Sequence, residues 1–390
     1  MSPATSDGSV PTARNATPAR VVWLASIVFC GVLPAIALVT LFSVSIYDGS
    51  EAIDFRPFYN AAQDILNGEN PYPSPEDLLT ASGRPYVYPP LPAIAAIPLT
   101  VLPLGVAELL AMSAQVIILL AIPFVLGVRD WRCYGLMFLW PPVISAIQTS
   151  NVTLLFALAA ALAWRFRDRP LRASVSLGLT LAVKFVLWPL AVWLAATRRL
   201  TGAVLACAIG AGLVLLSWAA IGFTGFGGYS DLLRRLEDTV GSDAYTTYVV
   251  ALDLGAPQGV ARAIWLAMGF GLLAAVVVVA RRGDHRSAYI VAIAAAIALS
   301  PIVWLHYFAL LLIPVALAQP RLGLVWFVPL AMFISPGRGN PTLFETATAL
   351  GAAALTIVLS LRASVEGVRP VRPVGSDPSP AVTRAQARTA

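Results

Sequence analysis

Three long apolar runs, Val21–Val44, Leu200–Gly222 and Val260–Ala280, constrain this chain more than any other feature. Each holds roughly 20 residues, enough to cross a hydrocarbon core about 30 Å thick as a helix. Of the 390 residues, 58% are hydrophobic and 12% charged, and the mean hydropathy is +0.78. A soluble core cannot bury that much apolar surface, so most of the chain has lipid as its solvent. The first run follows a polar leader carrying Arg14 and Arg20. It is longer than a signal-peptide core and has no small-residue cleavage site, so it reads as a retained anchor. Cys30, Cys133 and Cys207 fall in apolar stretches without CxxC or metal spacing and are expected to be small core residues.

The net charge of +6 is carried by arginine, Lys184 being the chain's sole lysine. The arginines sit in short clusters between apolar runs: 129/132, 165–172, 198/199, 281–286, 321 and the tail from Arg362. That pattern orients a membrane protein and excludes a nucleic-acid surface. Placing every cluster in the cytoplasm yields about twelve transmembrane or re-entrant passages, with both termini inside. The expectation is an all-α integral membrane domain over residues 21–362, flanked by disordered cytoplasmic segments at 1–20 and 363–390.

Two places strain this scheme. The stretch from Ala173 to Thr197 has arginines on both sides and room only for two short helices, so it is expected to break with Lys184 near its apex. Residues 89–104 carry Pro89, Pro90, Pro92, Pro98 and Pro103, which favour a short re-entrant or interfacial helix. In the first outside loop, Phe55, Phe58, Ala62 and Ile65 recur at helical spacing before Asn67-Gly68, describing an amphipathic helix on the membrane surface. That loop carries several acids, among them Glu51, against Arg56 and Arg84. A second amphipathic helix is expected in a later outside loop, with Tyr229, Leu232, Leu233 and Leu236 on one face and Arg234 and Arg235 on another.

Candidate chemistry gathers on the outer side. Asp54, between apolar neighbours just past the first run, suits a general base, a role worth about 10²- to 10⁴-fold in rate. Equally, it caps the next helix or pairs with Arg56. Lys184 lies in an apolar run without a nearby acid, so it needs a distant carboxylate or an anion such as phosphate, or it snorkels to the interface. His306, between Trp304 and Tyr307, is either a donor to phosphate or a packed member of an aromatic belt. His285 falls in an arginine cluster and reads as a solvated loop residue. Gln148 and Asn151, at a tight turn, present amides for sugar hydroxyls or for capping the following helix. Tyr86 and Tyr88 precede a rigid Pro-Pro break and offer aromatic faces. No metal-ligand set and no cofactor motif is visible.

In chain order these features are Asp54-Phe55 with Tyr59 and Ala62, Gly68 with Asn70-Pro71-Tyr72, Tyr86-Val87-Tyr88-Pro89-Pro90, Gln148-x-x-Asn151, Lys184, and Ser300-Pro301 with Trp304 and His306-Tyr307. Together, over residues 45–310, they resemble family 87 of the glycosyltransferases, actinobacterial membrane enzymes of the GT-C type similar to polyprenol-phosphate-mannose-dependent α-1,2-mannosyltransferases. The turn departs from the pattern in having Ile147 before Gln148 where glycine is expected, which bears on its tightness.

The resemblance implies a GT-C-like bundle in the plasma membrane. It implies Asp54 as catalytic base, and Lys184, His306, Arg234 and Arg235 toward the donor phosphate. Tyr59, Tyr86, Tyr88, Gln148, Asn151, Trp304 and Tyr307 would lie toward sugar or acceptor. A polyprenyl-phosphate sugar, mannose or alternatively arabinofuranose, would be the donor, and a glycolipid or lipoglycan the acceptor, with no metal or cofactor. A transporter or flippase of lipid-linked saccharides is the reading from another class; it predicts midplane ionisable residues and inverted repeats, which the sequence does not display.

Overall fold

The computed structural model describes residues 16–48, 52–74, 76–77, 85–335 and 340–366. The leader with Arg14, the loop residues Glu51 and Arg84, and the tail beyond 366 lie outside the described residues. Every regular element among those described is helical. Five helices are long and apolar enough to cross a membrane: Arg20–Tyr47, Leu104–Val125, Leu200–Ala220, Gln258–Arg281 and Leu343–Ser364. A sixth passage is the pair Pro141–Thr149 and Thr153–Arg165, bent by 115° at its break. The other apolar helices, such as Pro170–Val183, His285–Ala298 and Leu305–Ala318, are shorter than a span.

The long and short helices occupy different places. Phe124, Leu216 and Phe270 on the long helices are exposed large apolar side chains, as a lipid-facing wall requires. Trp140, Phe156, Tyr289 and Phe308, on the short and bent elements, are fully buried and form the centre. A short helix survives there because its ends meet protein partners instead of lipid.

The broken segment around Lys184 forms as the flanking arginines require. Pro170–Val183 ends at Lys184, whose backbone is extended, and a single turn at Phe185–Leu187 leads into Trp188–Ala196. The proline-rich stretch becomes Leu91–Ala96 followed by a 3-10 turn, Ile97–Val101. Helix Arg56–Leu66 is amphipathic as the spacing predicts, but its apolar face does not lie open on a membrane surface. Phe58, Tyr59, Ala61 and Ala62 are buried, against the proline-rich stretch and the start of Leu104–Val125. The reason is that this apolar face has a protein partner at hand.

Two further expectations change. Cys207 is exposed on the side of its long helix, whereas Cys30 and Cys133 are buried. His285 is half-buried, its Nδ1 3.3 Å from an Arg199 guanidinium nitrogen and its carbonyl accepting from Trp193 Nε1 at 3.0 Å.

Close packing between Pro170–Val183 and Leu200–Ala220 sets the position of Lys184. At Gly178 an added Cβ would stand 2.7 Å from Ile209 Cγ2 and 2.9 Å from the Ala206 carbonyl oxygen; at Gly210 it would meet Leu181 Cβ at 2.9 Å. The backbones approach this closely because both positions lack a side chain. Gly178→Leu is therefore expected to destabilise the bundle by about 1 to 3 kcal/mol or more, read as a lowered melting temperature in detergent; an unchanged melting temperature contradicts this packing.

Candidate functional site

The site is built on a helix end. Pro141–Thr149 terminates in a Schellman motif: Ser150 N–H donates to the Ile147 carbonyl at 3.1 Å and Asn151 N–H to the Ala146 carbonyl at 3.0 Å. Ser150 is left-handed at φ 53°, so the position that asks for glycine is 150 and not 147. Ile147 is helical and fully buried, and the turn is tight without a glycine there.

The last two carbonyls of that helix have no partner within it. The Asp54 segment supplies both, Ala52 N–H donating to the Gln148 carbonyl at 2.7 Å and Asp54 N–H to the Thr149 carbonyl at 3.0 Å. Ala52 is also left-handed, at φ 55°, and fully buried. A non-glycine residue persists in that conformation only where its surroundings impose it, and two such residues meet at this contact.

Asn151 fixes the Asp54 side chain. Its Oδ1 accepts from Thr153 N–H at 2.9 Å and Thr153 Oγ1 at 2.6 Å, which ties it to the first residue of the next helix. The amide nitrogen is thereby turned toward Asp54, and Nδ2 donates to Oδ2 at 2.9 Å. Arg56, the sequence-level candidate partner of Asp54, instead gives its Nε to Glu108 Oε1 at 2.5 Å.

Lys184 comes to the same place from the opposite direction. Its Nζ donates to the Tyr307 hydroxyl at 2.5 Å and lies 5.2 Å and 5.4 Å from the Tyr307 and Tyr88 ring centroids. Among the described residues it makes no salt bridge. The charge of Asp54 acts on Lys184, on Tyr88 and on His306, so the structure brings these distant residues into one cluster. Burial pushes the Tyr88 phenol up to about 12 against the opposing pull of Lys184, which keeps it a neutral hydroxyl. His306 is buried, its ring stacked on Tyr307 with centroids 5.2 Å apart. His306 Nε2, Thr149 Oγ1 and Ser150 Oγ are buried polar atoms without a hydrogen-bond partner among the described residues.

Two cavities flank this cluster. One, of about 650 Å³, is lined by Tyr88, Lys184, Tyr229, Glu237, Ser300 and a larger number of apolar side chains. Helix Tyr229–Val240 closes it with Leu233 and Leu236. The other, of about 410 Å³, is more polar and is lined by Ile53, Arg56, Asn60, Asp64, Asp77 and Tyr86 among others. Asp54 lies in neither lining; its neighbours Ile53 and Arg56 border the second, and Lys184 and Tyr88 border the first.

Other candidates are placed differently. Arg234 and Arg235 are exposed, Arg234 pairs with Asp231, and neither lines the cavity that their helix covers. The Tyr59 hydroxyl is spent on the Leu102 carbonyl at 2.8 Å, and that of Tyr86 on the Pro89 carbonyl at 2.6 Å. Tyr72 stacks on Trp218 at 5.0 Å and donates to the Tyr88 carbonyl at 2.9 Å, holding the cavity wall. Trp304 is half-buried, and its carbonyl accepts from Tyr307 N–H at 2.9 Å.

Sequence reasoning passed over Glu108, Tyr229 as a lining residue, and the left-handed pair Ala52 and Ser150. Glu108 carried a usable signal, because a lone acid inside an apolar helix needs a partner. Among the described residues no group of three or more His, Cys, Asp or Glu side chains comes together.

The family model described as Glycosyltransferase family 87 matches residues 86–305. The matched segment contains Tyr88, Asn151, Lys184 and both walls of the larger cavity, while Asp54, His306 and Tyr307 fall outside it. No curated protein and no solved structure matches the chain. With more than half its length covered by that one model and apolar helices of spanning length on either side of the site, the chain belongs to glycosyltransferase family 87, a membrane glycosyltransferase.

Proposed function

We propose that this protein transfers a sugar from a polyprenyl-phosphate donor to a lipid-linked glycan acceptor at the extracytoplasmic face of the plasma membrane, with Asp54 as general base. One observation carries the reading: Lys184, an ammonium without a salt bridge among the described residues, lines a mostly apolar cavity and lies within the electrostatic reach of Asp54. A cavity of about 650 Å³ is in the range of small-ligand sites. Its apolar walls suit the first isoprene units, and its cation suits the phosphate. The polar cavity bordered by Ile53 and Arg56 is the place for the acceptor sugar.

In the reaction, the acceptor hydroxyl oxygen attacks the anomeric carbon as Asp54 takes its proton. The bond from that carbon to the phosphate oxygen breaks, and polyprenyl phosphate leaves with the electron pair. Configuration at the anomeric carbon inverts, because one displacement occurs from the side opposite the leaving group. Phosphate is a good leaving group and needs a cation more than a general acid, which assigns Lys184 to it, with His306 Nε2 and the Tyr88 hydroxyl as donors nearby. The positive-inside rule, applied to the arginine clusters, puts them in the cytoplasm and this site outside. The sugar is mannose on the resemblance of the motifs, arabinofuranose being the other pentose-or-hexose choice they allow.

Asp54→Asn keeps the shape and the Asn151 contact region while removing the base; transfer from labelled polyprenyl-phospho-mannose should fall by about 10²- to 10⁴-fold with donor binding retained. Transfer at the wild-type rate takes Asp54 out of the mechanism. Lys184→Met should weaken donor use by about tenfold or more while leaving the acceptor KM in place. Unchanged donor dependence would make Lys184 an interfacial anchor only.

A further inference from the structure

Asp54 and Arg56 are opposite charges two residues apart, and each is bound elsewhere: Asp54 to a neutral amide on Asn151, Arg56 to Glu108. The chain contains its own comparison in Asp130-Trp131-Arg132, which has the same spacing and also stands at the start of a helix. There the guanidinium turns back on its own carboxylate, with Nε 3.0 Å from Oδ1 and Nη2 2.8 Å from Oδ2. That contact, reinforced by the Leu322 N–H, holds the Asp130 carboxyl down at about 2. A carboxylate so paired is a poor base.

What differs at Asp54 is a competitor. Glu108 is the only ionisable residue of Leu104–Val125, is the fifth residue of that helix, and is almost fully buried at 6% side-chain exposure. A carboxylate there is compelled to find a cation, and the packing of Arg56–Leu66 on this helix brings Arg56 to it.

We propose that Glu108 is a positioning residue for the transfer reaction: by engaging Arg56 it keeps that guanidinium off Asp54 and leaves the carboxylate free to take a proton. This rests on the reading of Asp54 as base. The charge of Asp54 acts on Lys184, Tyr88 and His306 from the elements packed against it, and on its own segment Arg56 is paired with Glu108.

The test is the pH–rate profile of purified enzyme with labelled polyprenyl-phospho-sugar. Glu108→Gln removes the carboxylate that competes with Asp54 for Arg56, so turnover falls by about tenfold or more and the acid limb moves to lower pH by about 1 unit or more, as for a carboxylate beside a guanidinium. Adding Arg56→Gln in the same chain removes the guanidinium and returns the acid limb to the wild-type pH, whatever the loss of an acceptor-cavity side chain does to the rate. Arg56→Gln alone serves if Glu108→Gln folds poorly; its acid limb stays at the wild-type pH. The proposal is overturned if folded Glu108→Gln keeps the wild-type profile, if the acid limb of the double variant stays where that of the single one lies, or if Arg56→Gln moves the limb upward. Asp54→Asn, measured alongside, separates the two ideas. If it is inactive and the Glu108→Gln profile has not moved, only the positioning role is lost; if it is fully active, the base assignment fails and the positioning role with it.

Discussion

The structure depends on one contact, the docking of the Asp54 turn onto the end of helix Pro141–Thr149. Two helix-terminal carbonyls, at Gln148 and Thr149, have no partner in their own helix, and two amides, at Ala52 and Asp54, supply it. In a protein surrounded by lipid an unsatisfied carbonyl costs several kcal/mol, so this docking is enforced and not incidental. It draws the chain through left-handed conformations at Ala52 and Ser150, and it sets the Asp54 carboxylate within 2.9 Å of the Asn151 amide. The opposite charge of Arg56 is taken up by Glu108 on a third element. Three weak sequence signals thus become one rigid arrangement.

Around that arrangement the membrane decides where short helices are allowed. The helices of spanning length stand outside with Phe124, Leu216 and Phe270 exposed, and short ones such as His285–Ala298 and Leu305–Ala318 are kept in the centre, where protein groups satisfy their ends. Lys184 sits at such an end. The glycines at 178 and 210 let two backbones approach, and the chain then breaks at Lys184 with its ammonium on the Tyr307 hydroxyl. The break and the charge coincide because a helix end inside a protein can face a cavity, and a cation can be kept only where it does.

Much of this was legible from residue types. Lys184 at a break followed from arginines on both sides of a stretch too short for two spans, and the helix over Arg56–Leu66 followed from the spacing of Phe55, Phe58 and Ala62. The partner of that helix's apolar face was not legible, since periodicity says which side is apolar and not whether lipid or protein covers it. The turn at Ser150 was misjudged because glycine was sought at 147, inside the helix, whereas the left-handed residue is a serine held by its surroundings. That Arg56 pairs away from Asp54 was not legible, because its partner Glu108 lies 52 residues further on. Arg234 and Arg235 were grouped with the donor phosphate by their helix, yet the face that covers the cavity is that of Leu233, Leu236 and Glu237.

The proposed reading, with Asp54 as a single base and Lys184 toward the donor phosphate, commits the chemistry to one displacement at the anomeric carbon. The direct measurement is the anomeric configuration of the newly formed glycosidic bond, read by NMR on product made with a donor of known configuration. Inversion relative to the donor is the result predicted for Asp54 acting on the acceptor hydroxyl opposite Lys184. Retention would demand a second displacement through a covalent glycosyl intermediate and would contradict the account.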